Sequence, residues 1–413
     1  MTDHVVRSTC RICGSVRLDP FLDLGSTPLA NALVHPDRSA TPEARFPLAT
    51  ARCLDCGQVQ LTVVVAPEIL FRDYRYASSA SAPLLPHFDE YASELVVRFT
   101  PPGSLVVEIG SNDGVLLRPL SERGAVAIGV EPATDLAASA NARGLRTVNE
   151  FFSADVARRL RSEHGPAKAV VANNVLAHID DLGEVIRGLD ALLDDDGVFA
   201  AEVPYLGDLL DHVEYDTIYH EHLSYFALAP LSRLFDSAGM RLFDVHRVPI
   251  HGGSLRIFAG RKGRYRSTVE LERTRRDEER SGLGDAGTYR IFAERVAESR
   301  TALRDVIARA KTHGKHVAAL GATAKGNTLL NYCGIGTDSI DYIGDTTSLK
   351  QGLLSPGMHI PIVPEGRLDQ DHPDLILLLA WNYADAIVPR YRDYLKAGGR
   401  FIHPIPLARL IGP

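Results

Sequence analysis

The sequence lacks the long apolar run that a membrane-spanning helix requires. Its longest apolar stretch, Leu375 to Trp381, is only seven residues long, whereas a helix needs about 20 apolar residues to cross a bilayer. The segment before the first cysteine also lacks the apolar core of a secretory signal. These absences predict a cytoplasmic protein without a membrane partner.

Basic residues are not in excess either. The chain has 45 Lys and Arg residues against 52 Asp and Glu residues, which gives a formal net charge of -7. No nucleic-acid partner is expected, because binding to nucleic acid depends on clustered basic side chains that neutralise phosphates. With 413 residues, of which 45% are hydrophobic, the chain is long enough to form two or three domains.

Cysteine is scarce, and five cysteines in so long a chain do not suggest a disulfide scaffold. Four of them form two Cys-x-x-Cys pairs, and a glycine follows each pair. Such a turn lets two thiolates point at one ion, and four thiolates leave no open coordination position. The pattern predicts a structural zinc site, with a redox motif or a chance pairing of buried thiols as the alternatives. The predicted ligands are Cys10, Cys13, Cys53 and Cys56.

Two stretches of the chain alternate short β-branched runs with amphipathic segments, which is typical of a mostly parallel sheet covered by helices. The first extends from Ser104 to about Gly260, and the second begins at Lys315. We therefore expect an α/β protein in three parts: a four-cysteine zinc module over residues 1–70, a central Rossmann-like domain over residues 71–260 with a helical linker at its start, and a C-terminal Rossmann-like domain over residues 261–413. The expected strands of the central part are Leu105–Ile109, Ala127–Val130, Ala169–Ala172 and Val198–Val203.

The loop after the first of these strands is the clearest candidate for a ligand site. It extends from Gly110 to Gly114 and leads into a helix, and ligands of open α/β sheets bind at the carboxyl ends of strands. The glycines permit a close approach of the backbone, and the amides at the helix start can donate to a carboxylate. The next strand ends at Glu131, about twenty residues further on, where an acid can accept both hydroxyls of a ribose. A nucleoside cofactor is therefore expected.

Two features favour S-adenosylmethionine over a nicotinamide dinucleotide as this cofactor. An acid, Glu108, lies on the strand, and the loop lacks the Gly-x-Gly-x-x-Gly turn that holds a pyrophosphate. A later strand ends in two asparagines, and the helix beyond it resembles the corresponding region of methyltransferases. The sequence predicts an S-adenosylmethionine-dependent methyltransferase, with a nicotinamide-binding domain as the alternative. The candidate cofactor-binding residues are Glu108, Gly110, Ser111, Asn112, Asp113, Gly114, Glu131, Pro132, Asn173 and Asn174.

The densest cluster of titratable and aromatic groups lies between Tyr215 and Tyr225 and contains Tyr219-His-Glu-His222. Such groups cannot all be buried without partners, so they are either solvated or line a polar cleft. If the stretch is helical, Tyr219 and His222 share a face. Histidine suits a proton-abstracting base at neutral pH, and metal binding by His220 and His222 is the rival interpretation.

The order of these motifs resembles that of the sugar-nucleotide C-methyltransferases, which methylate 4-keto deoxysugar nucleotides in the formation of branched antibiotic sugars. The resemblance covers essentially the whole chain. The matching motifs are the two Cys-x-x-Cys pairs, Val107-Glu-Ile-Gly-Ser-Asn-Asp-Gly114, Tyr219-His-Glu-His222, His251-Gly-Gly-Ser254 and Gly321-Ala-Thr-Ala-Lys-Gly-Asn327.

The resemblance implies roles for several residues. It implies that His222 is the catalytic base, with Tyr219 and Glu221 beside it, and that His178 and Tyr76 lie on the substrate side. It also implies a dTDP-4-keto-deoxysugar as the substrate, methylated at C-3. The chemistry agrees with these residues, because a ketone makes the neighbouring C–H proton removable by His222, and a donor such as Tyr219 or His178 can stabilise the resulting oxyanion. The candidate catalytic residues are His222, Tyr219, Glu221 and His178.

The second α/β unit offers a place for the nucleotide of this substrate. Its loop from Gly321 to Asn327 links a strand to a helix, where backbone amides and Lys325 could hold a diphosphate. The candidate substrate-binding residues are Tyr76, Ser78, Ser79, His251, Lys325, Asn327, Asp345 and Asn382.

Several alternatives stay open at this point. The second α/β unit could instead be a dimer or lid surface, and the segment from His251 to Ser254 could be no more than a hairpin connection. Methylation at C-5, at oxygen or at nitrogen of a similar sugar nucleotide is a second hypothesis, and a non-catalytic zinc-stabilised binding protein is a third. The sequence does not predict the oligomeric state.

Overall fold

The computed structural model describes residues 4–71, 79, 84–250 and 252–412. Its N-terminal part consists of short antiparallel strands in which β1 pairs with β5 and β3 pairs with both β2 and β4. The two Cys-x-x-Cys pairs occupy the turn after β1 and the turn between β3 and β4. The elements of this part are β1 (His4–Val6), β2 (Leu18–Thr27), β3 (Phe46–Cys53), β4 (Val59–Leu61), β5 (Val63–Val65) and helix α1 (Pro67–Phe71).

The central part is an open sheet covered by helices. Its helices are α2 (Leu84–Arg98), α3 (Leu117–Glu122), α4 (Thr134–Ala142), α5 (Ala154–His164), α6 (Leu182–Leu192), α7 (Leu206–His212) and α8 (Leu228–Asp236). Its strands are β6 (Leu105–Ile109), β7 (Val126–Val130), β8 (Thr147–Val148), β9 (Ala167–Asn173), β10 (Leu193–Pro204), β11 (Ser224–Tyr225), β12 (Met240–Val248) and β13 (Ser254–Arg261). The four strands expected here from the sequence are confirmed as β6, β7, β9 and β10.

The strand order of the central sheet is β12-β13-β10-β9-β6-β7-β8 in the described part of the chain. Strands β10, β9, β6, β7 and β8 run parallel, and β13 is antiparallel to both of its neighbours. All five residues of β6 are buried, as expected for a strand that is covered by helices on both faces. The chain winds outward in one direction from β6 and in the other from β9, so the crevice between these two strands is the switch point where ligands bind.

The C-terminal part is a second open α/β sheet. Its elements are α9 (Val269–Arg280), α10 (Ala286–Thr312), β14 (Val317–Leu320), α11 (Ala324–Cys333), β15 (Ile343–Asp345), β16 (Ile362–Pro364), α12 (Arg367–Asp371), β17 (Leu375–Leu378), α13 (Ala384–Ile387), α14 (Arg392–Lys396), β18 (Arg400–His403) and β19 (Arg409–Ile411). The strand order is β16-β15-β14-β17-β18-β19, with parallel pairing except between β18 and β19. The switch point of this sheet lies between β14 and β17. Among the helices described, none is long and apolar enough to span a membrane.

One short strand joins the parts of the molecule. β11 belongs to the central part by chain position, but it pairs with β4, so the N-terminal sheet has the order β11-β4-β3-β2. A single cluster of buried apolar side chains extends from the N-terminal sheet through Tyr215 and Ile218 to the C-terminal sheet. The segment from Tyr215 to Tyr225 is therefore fixed at the junction of all three parts.

Candidate active site

The four predicted metal ligands come together at one place. Their sulfur atoms all lie within 4.8 Å of one another, with 3.5 Å between Sγ of Cys10 and Cys56 and 3.6 Å between Sγ of Cys13 and Cys53. A tetrahedral zinc ion with bonds of about 2.3 Å would hold its sulfur ligands about 3.8 Å apart, so these residues fit a closed structural site. Within the described residues, the side chains that could hold a metal do not include His220 or His222. The alternative interpretation of the reactive segment, metal binding by these two histidines, therefore has no support there.

The loop after β6 has the backbone geometry that its glycines predict. Gly110 and Gly114 have φ angles of 65° and 80°, which other residues rarely adopt. A Cβ atom on Gly110 would lie 2.7 Å from Cγ2 of Val175, and one on Gly114 would lie 2.6 Å from Cδ1 of Leu145. Asn112 between them also has a positive φ of 51°. The loop is thus a tight turn at the sheet's switch point, where a side chain at Gly110 would clash with Val175 and one at Gly114 would have to displace the end of Leu145.

Glu131 faces this loop from the end of β7. One of its oxygens accepts a hydrogen bond from the backbone amide of Asn112 and the other from that of Ala133, both at 2.8 Å. The side chain is buried, and this burial raises the pKa of Glu131. Each carboxylate oxygen keeps a second lone pair, so the amides orient the group without exhausting its capacity to accept from ribose hydroxyls. The carbonyl of Pro132, the next residue, accepts from the side chain of Asn149.

Several buried polar atoms surround the same loop. Oε2 of Glu108, Oγ of Ser111 and Oδ1 of both Asn173 and Asn174 have no hydrogen-bond partner in the described part of the chain. Burial raises the pKa of Glu108 well above its usual range. Unpaired buried polar groups cost about 1–3 kcal/mol each, and a polar ligand would provide their partners. The site therefore fits a cofactor such as S-adenosylmethionine.

Asp113 connects the cofactor loop to a residue that is predicted on the substrate side. Its carboxylate accepts hydrogen bonds from the backbone amide of Ser79, at 3.3 Å, and from the Ser79 hydroxyl. It also forms an ion pair with Arg143 at 3.6 Å. Two further candidates, Tyr76 and Ser78, lie outside the described residues.

The reactive segment is not helical around its tyrosine and second histidine. A 3-10 turn over Tyr215–Thr217 is followed by a tight turn, which nevertheless places the Tyr219 hydroxyl 2.8 Å from Nε2 of His222. Nδ1 of His222 lies 2.8 Å from the carbonyl oxygen of Thr217. Because a carbonyl only accepts, the proton is assigned to Nδ1, and Nε2 accepts from Tyr219 in the neutral ring. The pair thus presents a basic nitrogen and a hydroxyl together.

His178 lies beside this pair. Its ring is 5.1 Å from that of His222 and stacks on Phe71 at 5.4 Å, as measured between ring centroids. The backbone amide of Leu223 donates to the carbonyl of Ala177 at 2.7 Å. This bond joins the two segments that carry the histidines.

The two residues between Tyr219 and His222 face the N-terminal part. Oε1 of Glu221 accepts a hydrogen bond from Nδ2 of Asn31 at 2.7 Å. The ring of His220 packs edge-on against Phe46 at 5.8 Å, and burial lowers its pKa. His220 is therefore a packing residue, and Glu221 ties the turn to the N-terminal part through Asn31.

In the C-terminal part, Lys325 lies in the first turn of α11. Its Nζ atom is 3.3 Å from Oε2 of Glu214 and 5.2 Å from the centroid of the Trp381 ring. Burial raises the pKa of Glu214 to about 7. Asn327 is buried, and its Nδ2 donates to the carbonyl of Ala30 at 2.8 Å, which ties α11 to the N-terminal part.

Asp345 repeats the arrangement of Glu131 in the second sheet. Its oxygens accept from the backbone amides of Ala322 and Thr347, both at 2.7 Å. The two sites correspond. Ala322, like Asn112, lies in the loop after the first strand of its sheet, and Thr347 lies two residues after Asp345, as Ala133 lies two residues after Glu131. Asn382 follows β17 in a 3-10 turn, on the other side of the switch point. The loop after β14 and Asp345 thus repeat the layout of the loop after β6 and Glu131.

The structure also shows residues that sequence reasoning missed. Asn31 and Glu214 contact predicted site residues, but their partners are 190 and 111 positions away in the chain, so no local pattern marks them. His251, a predicted substrate residue, lies outside the described residues.

Three family models match consecutive parts of the chain. Residues 10–71 match the model described as "Putative zinc binding domain", residues 85–245 match "Methyltransferase domain", and residues 249–406 match "C-methyltransferase C-terminal domain". A curated relative, "C-methyltransferase NovU" from Streptomyces niveus, is 41% identical over 407 residues, which cover 97% of this chain and 96% of the relative.

Among solved structures, the chain is similar to magnesium protoporphyrin IX methyltransferase from Synechocystis PCC 6803 with bound S-adenosylmethionine. That similarity has a TM-score of 0.34 and 16% identity, over 43% of this chain and 80% of the other, so the family assignment depends on the family models and the curated relative. These confirm the predicted fold class, enzyme class and cofactors. The chain belongs to the C-methyltransferase family and is an S-adenosylmethionine-dependent methyltransferase with a structural zinc module.

Proposed function

We propose that the protein methylates a carbon atom, C-3, of a dTDP-4-keto-deoxysugar. The observation that carries this proposal is the Tyr219–His222 pair, in which the bond from Nδ1 of His222 to the carbonyl of Thr217 leaves Nε2 as the basic nitrogen. A base is required because methylation at carbon, unlike methylation at oxygen, needs a carbanion.

His222 is the proposed base. Nε2 takes the proton from the carbon next to the ketone, directly or through the Tyr219 hydroxyl. The electrons of the broken C–H bond form the C=C bond of an enolate, and the ketone oxygen becomes an oxyanion. A hydrogen bond from Tyr219 or from His178, whose ring is 5.1 Å from that of His222, stabilises the oxyanion. The enolate carbon is then the nucleophile.

The loop after β6 is the proposed cofactor site. Glu131 binds the ribose hydroxyls, and the amides of the loop from Gly110 to Gly114 bind the carboxylate, while Glu108, Asn173 and their neighbours satisfy the remaining polar groups. S-adenosylmethionine, when bound, supplies the methyl group as an electrophilic sulfonium. These assignments agree with the unpaired buried atoms around the loop.

The C-terminal sheet is the proposed site for the nucleotide of the substrate. Lys325 binds negative charge on the diphosphate, and Asp345 and Asn382 contact the nucleoside at the switch point. Support comes from the repeat of the Glu131 arrangement at Asp345. On the family resemblance, Tyr76, Ser78, Ser79 and His251 contact the sugar, and the domains extend over residues 1–70, 71–260 and 261–413.

His222→Asn tests the proposal. A panel of 4-keto sugar nucleotides is assayed for methyl transfer, the new carbon is located by NMR, and exchange of the neighbouring proton is followed in deuterated water. The wild-type protein should exchange the C-3 proton and methylate C-3, and the variant should lose about 1,000-fold in both. His220→Asn, which changes the packing histidine, is the matched control. A product methylated at C-5, oxygen or nitrogen, or near-full activity of His222→Asn, would overturn the proposal.

A further inference from the structure

We propose that the zinc module positions the catalytic histidines and that Arg11 is the positioning residue that links it to both. This inference rests on the proposed roles of His178 and His222. Arg11 lies inside the first zinc knuckle, between the ligands Cys10 and Cys13. It is buried, with 6% of its surface exposed, which is unusual for arginine and requires compensating partners.

The Arg11 guanidinium reaches the segment that carries His178. Its Nε atom donates to Oδ1 of Asp180 at 2.9 Å, and Asp180 follows the 3-10 turn that ends at His178. The bond joins a charged donor to a charged acceptor, which is stronger than a bond between neutral groups. The first knuckle thereby fixes the loop on which one catalytic histidine stands.

The same residue also reaches the segment that carries His222. Nη1 of Arg11 donates to the carbonyl of Leu61 at 2.8 Å, and the backbone amide of Arg11 donates to Oε1 of Gln60 at 2.9 Å. Gln60 and Leu61 belong to β4, which pairs with β11, and β11 begins two residues after His222. The amide of Leu61 donates to the carbonyl of Leu223 at 3.0 Å.

These contacts close a ring around the two histidines. Arg11 donates hydrogen bonds to the carboxylate of Asp180 and to the carbonyl of Leu61. The amide of Leu61 donates to the carbonyl of Leu223, and the amide of Leu223 donates to the carbonyl of Ala177, the residue before His178. A second contact from the zinc module, the bond from Asn31 to Glu221, fixes the turn from the other side. The 5.1 Å separation of the histidine rings thus depends on a segment that holds the metal, although the metal has no open position for chemistry.

Arg11→Met tests the link by removing the guanidinium while keeping an unbranched apolar stem. We expect kcat and the rate of proton exchange to fall about 10- to 100-fold, as for loss of a buried charge-assisted bond. KM for the substrate and the affinity for S-adenosylmethionine should change less than about twofold. Arg11→Lys, which keeps the charge but not the fork of donors, should recover part of kcat.

Arg17→Met is the matched control. Arg17 is in the same module, but it is exposed and pairs with Asp55 between the second pair of cysteines, so its loss should leave kcat and exchange unchanged. Zinc content and the melting temperature are measured for every variant. If Arg11→Met fails to fold, Asp180→Asn removes the negative charge from the same bond at its partly exposed partner, which also pairs with Arg7 at 3.0 Å. It should lower kcat in the same direction as Arg11→Met.

A second readout separates this inference from the proposed function. Proteins with 15N-labelled histidine should show one fixed tautomer for His222 in the wild type and in Arg17→Met, and a mixture in Arg11→Met and Asp180→Asn. Methyl transfer without proton exchange in the wild type would contradict the proposed function alone. Unchanged kcat and an unchanged His222 spectrum in Arg11→Met and Asp180→Asn, or an effect on KM only, would overturn the role of Arg11.

Discussion

At the scale of single residues, the hydrogen bond between Tyr219 and His222 makes a direct prediction. In Tyr219→Phe the ring and its packing remain, but Nε2 of His222 loses the hydroxyl that lies 2.8 Å away. We expect kcat to fall about 100-fold, because the oxyanion loses a donor while the base itself remains. Single-turnover assays with a 4-keto sugar nucleotide measure the change. A loss as large as that of His222→Asn would instead identify Tyr219 as the group that removes the proton.

The raised pKa of Glu214 leads us to expect that KM for the proposed substrate depends on pH. Burial raises its pKa to about 7, and its Oε2 lies 3.3 Å from Nζ of Lys325, with His212 and Asp216 also close to the carboxyl group. Below pH 7 the protonated Glu214 no longer neutralises Lys325, and above pH 7 the carboxylate competes for Lys325 with the diphosphate of the proposed substrate. KM for the sugar nucleotide should therefore rise about three- to tenfold between pH 6 and pH 8.

Glu214→Gln provides the check on this dependence. The amide cannot ionise, so KM should stay low and nearly constant over the same range. Glu278→Gln is the matched control, because burial raises the pKa of Glu278 to about 7 as well but its carboxylate binds the start of α8. A rise in KM that persists in Glu214→Gln would contradict the prediction and point to another titrating group.

The residues that could be predicted from sequence are those whose position follows from a local pattern. Glu131 is expected because an acid at the end of the second strand faces the loop after the first, and the structure places it 2.8 Å from the amide of Asn112. Arg11 could not be recognised in this way. Its partner Asp180 is 169 positions away, and only the folded chain brings the two together.

At the scale of elements, helix α8 lacks a local cap and depends on another helix. Its N-cap residue, Ala227, has no side chain that can accept a hydrogen bond. The carboxylate of Glu278 on α9 accepts from the amide of Leu228 at 2.8 and 3.0 Å instead. Capping bonds of this kind contribute about 1 kcal/mol, so Glu278→Ala should lower the free energy of unfolding by roughly that amount in denaturant titrations below pH 7, where the buried Glu278 is protonated.

Glu278 also predicts a change of stability with pH. Burial raises its pKa from 4.5 to about 7, so between these values the folded state binds more protons than the unfolded state. The resulting stabilisation is complete below pH 4.5 and is lost as pH rises to 7, by up to about 3 kcal/mol. The difference in unfolding free energy between wild type and Glu278→Gln should follow this curve. If the difference in unfolding free energy does not change with pH, burial does not raise the pKa of Glu278 in the folded protein.

Elements were predictable to the extent that their sequence is periodic. The buried strand Leu105–Ile109 has the predicted bounds, whereas β10 begins at Leu193 and not at Val198. Its first residues are mostly aspartates, which do not resemble a strand, and the pairing with β9 shifts register between Leu193 and Val198. For β11, the two residues Ser224 and Tyr225 contain no signal that their partner is β4.

At the scale of the whole molecule, the N-terminal sheet, the segment around Tyr215 and the C-terminal sheet share one core, whereas the central sheet has a core of its own. Buried side chains of the N-terminal sheet, among them Leu48 and Leu61, belong to the same cluster as Tyr215 and Ile218. The proposed cofactor residues, by contrast, lie around β6, β7 and β9 of the central sheet. Loss of zinc should therefore disturb the position of the proposed base, His222, more than it disturbs the proposed cofactor site.

Removal of zinc, by a chelator or by Cys56→Ser, should abolish methyl transfer and proton exchange, because the sheet that fixes β11 depends on the four thiolates. Binding of S-adenosylmethionine, measured by calorimetry, should persist within about threefold, since Glu131 and the loop after β6 have their own support in the central sheet. Cys333→Ser, which changes a buried cysteine outside the metal cluster, should keep both zinc and activity. If the zinc-free protein still exchanges the C-3 proton at the wild-type rate, the position of the base does not depend on the zinc module. If it loses S-adenosylmethionine binding as well as proton exchange, the module supports the central sheet as a whole.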